Sequence, residues 1–128
     1  MGEQTPAQIL VVDDEDAIRR TLTALLERRG YIVTAAANVE EALAWLIQHA
    51  FDLVLLDLQL PGMNGLELAR IVEQRQPSTK IVVLTGSSDF RGHPIEDQVG
   101  HFDYLLKTTS PADVLAHVAT LLSSHQRE

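Results

Sequence analysis

The stretch "ILVVDDED", Ile9–Asp16, decides the reading of the fold. Four apolar residues run straight into four acids. Apolarity at consecutive positions, rather than at alternate ones, predicts a short strand covered on both faces, as in a parallel sheet. Two more segments have this character, "LVLL" (53–56) and "IVVL" (81–84). "YIVTA" (31–35) and "DYLL" (103–106) are weaker strand candidates.

Between these runs the apolar period becomes helical. Over 17–29, Ile18, Leu22, Leu25 and Leu26 share a face, and Gly30 is a natural stop. Asn38 with Glu41 predicts a capping box before Ala42, Leu43, Leu46 and Ile47, with Trp45 over the core. Asn64 with Glu67 repeats that logic ahead of Leu68, Ile71 and Val72, and Pro77 closes the unit. Ser110 caps a last helix with Pro111 in its first position and Leu115, Val118, Leu121 and Leu122 as its apolar face. The segment 86–100 is interrupted by Gly92 and Pro94. It predicts a short fourth helix starting near Pro94, after a loop from Gly86 to His93.

Strand and helix thus alternate five times, the pattern of an α/β domain with a parallel sheet and right-handed crossovers. A length of 128 residues suits one domain. We expect a disordered extension over 1–7, the domain over 8–123, and a polar tail or linker start over 124–128.

Composition narrows the function. The net charge is −8 and aromatic residues make up 5% of the chain, which argues against nucleic-acid binding by this domain. The chain has no cysteine, so disulfides and thiolate metal sites are excluded. Its apolar runs are too short to span a bilayer, and the polar start "MGEQTPAQ" lacks the parts of a signal peptide. The expected location is the cytoplasm, with no membrane contact.

In a doubly wound sheet, ligands bind beyond the carboxyl ends of the strands. Asp13 and Asp14 follow the first apolar run, Asp57 the third, Thr85 the fourth and Lys107 the fifth. Alone, Asp13 and Asp14 read as helix-start acids, and Asp57 as a turn residue in "DLQLPG". Together they place three carboxylates, a hydroxyl and an ammonium on one edge. Clustered carboxylates repel, and a hard divalent cation with oxygen ligands, such as Mg²⁺, relieves the repulsion. With the lysine it would neutralise a transferred phosphoryl group.

With these residues in place, the chain resembles the receiver domain of two-component response regulators. The resemblance runs from Ile9 to about Leu122, through "VVDDED", "LVLLDLQLPGMNGLEL", "IVVLTG" and "FDYLLK". It implies a single doubly wound five-stranded parallel sheet of strand order 2-1-3-4-5, flavodoxin-like, with helices on both faces. It implies Asp57 as phosphoryl acceptor, and Asp14, Asp57 and the backbone carbonyl of Gln59 as direct Mg²⁺ ligands. Asp13 would act through a metal-bound water. Thr85 would donate its hydroxyl to the phosphoryl oxygens, Lys107 would pair with carboxylate and then phosphoryl group, and Tyr104 would be the switch aromatic. Pro61 and Gly65 match the turn after the acceptor. The implied partners are a histidine kinase or phosphotransfer protein and an output partner or effector domain, with a homodimer on activation as a further expectation.

Within "DDED", Asp16 is expected to cap the first helix and Glu15 to be a solvated rim residue, at a position that can influence access to the acceptor. His49, His93, His101, His117 and His125 lack metal-ligand spacing and read as surface residues. Two positions depart from the family. Thr108 follows Lys107 where proline is usual; a cis bond to a non-proline costs roughly 3 kcal/mol, which favours a trans bond or a strained loop. Gly86 stands where alanine is usual. Two other functions compete: a phosphorylation-independent interaction domain, and a Mg²⁺-dependent phosphohydrolase with Asp57 as nucleophile. The latter usually needs a second acid two residues on, where this chain has Gln59.

Overall fold

The apolar runs form one parallel sheet of five strands: β1 (Gln8–Val12), β2 (Ile32–Ala36), β3 (Leu53–Asp57), β4 (Lys80–Thr85) and β5 (Asp103–Leu106). They lie side by side in the order 2-1-3-4-5, as the resemblance implied. The computed structural model describes residues 5–86, 89–90 and 93–126; the remainder, Gly92 included, lies outside the described residues. Among the described residues five helices connect or follow the strands: α1 (Asp16–Arg28), α2 (Val39–Gln48), α3 (Gly65–Arg75), α4 (Ile95–Val99) and α5 (Pro111–Gln126).

Consecutive apolar residues work here because each face of the sheet has its own core. Leu10, Val12, Val54, Leu56 and Val83 point to one face, against Val39, Ala42 and Leu46 of α2, Leu68 and Val72 of α3, and Ile95 and Val99 of α4. Ile9, Val11, Leu53, Leu55, Val82 and Leu84 point to the other, against Leu22 and Leu26 of α1 and Val114, Leu115, Val118 and Leu122 of α5. Each such side chain, fully buried, stabilises the fold by about 1.5–3 kcal/mol. Among the described residues no helix is long and apolar enough to cross a membrane.

Several helix ends form as the sequence dictates. The Asn38 side chain accepts from Glu41 N–H at 2.9 Å, and Glu41 accepts from Ala37 N–H at 2.7 Å. Ser110 Oγ accepts from Asp113 N–H at 3.1 Å, and Gly30 takes a positive φ of 92° after α1. Asn64 caps α3 as expected, but its side chain accepts from Leu66 N–H at 2.8 Å, one residue short of the Glu67 position that a capping box uses.

Other expectations are corrected. Asp16 is the first helical residue of α1, not its cap; the cap position is Glu15, whose side chain makes no capping bond. Ile47 is 66% exposed and Trp45 38% exposed, so neither belongs to the core stripe of α2. Trp45 lies on His49 instead, with ring centroids 5.3 Å apart. The stretch read as a loop before Pro94 contains a two-residue antiparallel ladder, Asp89–Phe90 with His93–Pro94. The fourth helix is short, as expected: five residues after Pro94, whose fixed φ of −57° suits a helix start. The chain is already packed at Ala7, which is buried, and α5 extends to Gln126, into the segment read as a tail.

At the amino end of the sheet, Asp52 joins three strands. Its carboxylate accepts from Gln8 N–H at 2.7 Å, its N–H donates to Gln8 O at 2.8 Å, and its carbonyl accepts from Lys80 N–H at 2.9 Å. This fixes the register that brings the opposite ends of β1, β3 and β4 level.

Candidate functional site at the carboxyl edge of the sheet

Asp13 leaves β1 with its backbone held on both sides. Its N–H donates to Ala36 O at 3.1 Å, and its carbonyl accepts from Arg19 Nη1 at 2.8 Å. Its Oδ1 accepts from Glu15 N–H at 2.9 Å, a tight local turn that aims the side chain inward, where it is fully buried. Asp57 ends β3 and is 4% exposed. Its Oδ1 accepts from Gln59 N–H at 3.1 Å and its Oδ2 from Lys107 Nζ at 3.0 Å. Behind it the turn closes through Gly65 N–H to Leu58 O at 2.7 Å. A Cβ on Gly65 would stand 2.1 Å from Asp57 O, so only glycine fits.

Thr85 ends β4 and is buried. Its carbonyl accepts from Lys107 N–H at 2.7 Å, which locks the end of β5 beside it. The Lys107–Thr108 peptide is trans. Without the usual proline, Lys107 still reaches the acids. Tyr104, opposite Val83, is half-buried against the cluster that includes Ile95, Val99 and Phe102.

Asp13, Asp14 and Asp57 each offer an oxygen within 4.8 Å of the others. Asp13 and Asp57 are buried while Asp14 is exposed, so the group faces solvent on one side. Burial pushes the Asp13 carboxyl above its ordinary value, against the pull of the Glu15 N–H and the Lys107 charge. Burial likewise raises Asp57, against its hydrogen bonds from Lys107 and Gln59, with the Asp13 charge adding to the rise. For Lys107, burial lowers the pKa, but hydrogen bonds to Glu15 and Asp57 outweigh it, and the net shift is upward. The lysine stays charged, yet it leaves the acid group under-neutralised.

The donor set fits a hard divalent cation. All three side-chain donors are carboxylate oxygens, and Asp13 Oδ2 is buried with no hydrogen-bond donor among the described residues. It lies 3.2 Å from Lys107 Nζ but off the hydrogen-bonding direction. A buried charged oxygen in that position is costly unless a cation meets it.

Sequence reasoning placed Glu15 at the rim but missed its contact with Lys107. Read as a solvated rim residue, it is 57% exposed at its side chain, yet its Oε1 accepts from Lys107 Nζ at 2.7 Å. Nothing in the local pattern announces a contact across 92 positions.

An α/β domain whose strand ends gather acids, a threonine and a lysine defines a class of phosphoryl-handling signalling proteins. The profile of the response regulator receiver domain matches residues 9–119. The chain is 38% identical over 122 residues to the transcriptional regulatory protein ResD of Bacillus subtilis, covering 95% of this chain and 50% of ResD. Among solved structures, a CheY-like receiver domain protein of Methanospirillum hungatei superposes with a TM-score of 0.86 at 31% identity, over 96% of this chain and 98% of that one. The response regulator TrrA of Thermotoga maritima, solved in complex with Mg²⁺ and BeF, gives a TM-score of 0.77 at 35% identity, over 90% and 98% of the two chains.

The chain therefore belongs to the response regulator receiver domain family of two-component systems. It is a phosphoacceptor switch domain with a regulatory role. The chain spans about half the length of the curated relatives it matches.

Proposed function

We propose that Asp57 accepts a phosphoryl group from a histidine kinase or phosphotransfer protein, and that the change in the α4–β5–α5 surface controls an output partner or effector domain. The observation that carries this is the convergence of Asp13, Asp14 and Asp57 within 4.8 Å, with Lys107 Nζ 3.0 Å from Asp57 Oδ2. Asp57 Oδ2 would attack the phosphorus of the donor, and the bond to the leaving group would break in line with the attack. Asp13, Asp14, Asp57 and the Gln59 carbonyl would hold Mg²⁺, which when bound offsets charge on the phosphoryl oxygens. Lys107 would shift from the carboxylate to those oxygens, and Thr85 would donate its hydroxyl to them. Tyr104, in β5 opposite Val83 and two positions from the partner of Thr85, would follow the threonine inward. The domain would catalyse its own phosphorylation and dephosphorylation only.

The test is intact mass spectrometry after incubation with Mg²⁺ and acetyl phosphate. One phosphoryl group is expected on the parent and none on Asp57→Asn. Equal labelling of both proteins would remove Asp57 as the acceptor.

A further inference from the structure

We propose that Glu15 is a positioning residue, which holds the Lys107 ammonium at the rim and so restrains phosphoryl transfer to Asp57; this rests on Asp57 being the acceptor. The lysine has three N–H donors. One serves Asp57 Oδ2 at 3.0 Å and another serves Glu15 Oε1, which is closer, at 2.7 Å. A phosphoryl group on Asp57 needs that ammonium on its own oxygens, so Glu15 competes with it for the same cation.

The two ends of Glu15 differ in freedom. Its backbone is fixed: the N–H donates to Asp13 Oδ1 at 2.9 Å, and the carbonyl accepts from Arg19 N–H at 3.0 Å. Its side chain is 57% exposed, whereas those of Lys107 and Asp57 are 15% and 6% exposed. A half-exposed ion pair is weak enough to yield when a stronger anion arrives. The fixed backbone presents the carboxylate, and solvent lets it go. Replacing the side chain leaves both backbone bonds available, so the device can be removed without dismantling the turn that holds Asp13.

The experiment compares the parent, Glu15→Gln, Lys107→Met and the double variant. The labelling rate at Asp57 with acetyl phosphate and Mg²⁺ is followed by intact mass, and melting curves check that all four fold. Glu15→Gln should label about threefold faster than the parent, the scale of a half-exposed ion pair. In the Lys107→Met background the same change should do nothing, because the group it acts through is gone. Titration of the four proteins with beryllofluoride and Mg²⁺, read by ¹⁹F NMR, should show the same coupling, and it serves where Lys107→Met labels too slowly. No acceleration in the parent background overturns the proposal. So does equal acceleration in both backgrounds, which would assign the effect to repulsion of the anionic donor. A parent that takes up no phosphoryl group fails the acceptor reading itself, a result distinct from either.

Discussion

Two connections leave the same edge of the sheet and are built in opposite ways. After Asp57 the chain folds back on itself: Gly65 N–H reaches Leu58 O at 2.7 Å, and a Cβ at Gly65 would strike Asp57 O at 2.1 Å. After Thr85 the described residues leave space: a Cβ at Gly86 would meet none of them within 4 Å, and α4 has only five residues. The Asp57 side is fixed by backbone contacts, and among the described residues the room lies on the Thr85 side. The proposed switch needs both, a carboxylate that keeps its place and a neighbour that can rearrange around it.

The comparison can be broken most directly at Gly65. Gly65→Ala should cost about 3 kcal/mol or more, because backbone has to move to admit the methyl group. Urea unfolding measures this, and a loss below about 1 kcal/mol would mean that the β3–α3 turn is no tighter than its counterpart. Next in size is the response to Mg²⁺. At a hundredfold excess over its dissociation constant the ion should stabilise the parent by about 2.7 kcal/mol, and Asp57→Asn by clearly less. Equal stabilisation of the two proteins would put the ion away from the acceptor side.

A smaller effect comes from the charge strain itself. With chelator present, Asp57→Asn should raise stability by about 1–2 kcal/mol, a few degrees in Tm. The sign with pH follows from the raised Asp57 pKa. Between the ordinary value of 3.8 and the raised one, the native state binds more protons than the unfolded chain. The advantage of Asn is therefore full above the raised pKa and shrinks as pH falls through it, which paired melting curves would show. An advantage that grew on acidification would contradict the buried-carboxylate account. Smallest is Gly86→Ala, which should stabilise by about 0.4–1 kcal/mol, since the methyl group meets none of the described residues and the unfolded chain loses freedom. A loss of stability would mean that this connection is more constrained than its open space suggests.

Much of the site was legible in the sequence because the parallel sheet turns chain order into geometry. Asp13, Asp14, Asp57, Thr85 and Lys107 each follow an apolar run, and the ends of such runs lie level. The helix caps at Asn38 and Ser110 were legible because capping is settled within four residues. What escaped needed longer range or a finer balance. Glu15 meets a lysine supplied by the far end of the chain. Asp16 is one residue inside the helix that it was expected to cap, and boundaries shift by a residue with little change in local energy. Ile47 continues the apolar pattern of α2, but it is exposed while the adjacent Leu46 takes the core position. The ladder at Asp89–Phe90 and His93–Pro94 arises in a segment whose glycine and proline announce only that a long helix cannot form.

The Asp52 junction has a consequence for how the chain assembles in time. Gln8 and Asp52 are 44 positions apart, and Lys80 joins the same residue from the next unit. At that separation Gln8 and Asp52 close a longer loop than the other adjacent strands do, and longer closures cost more chain entropy. We expect the β1–β3 pairing to be the slowest step of sheet assembly, with β4 docking on Asp52 afterwards, an order that φ-values at Gln8 and Asp52 would test.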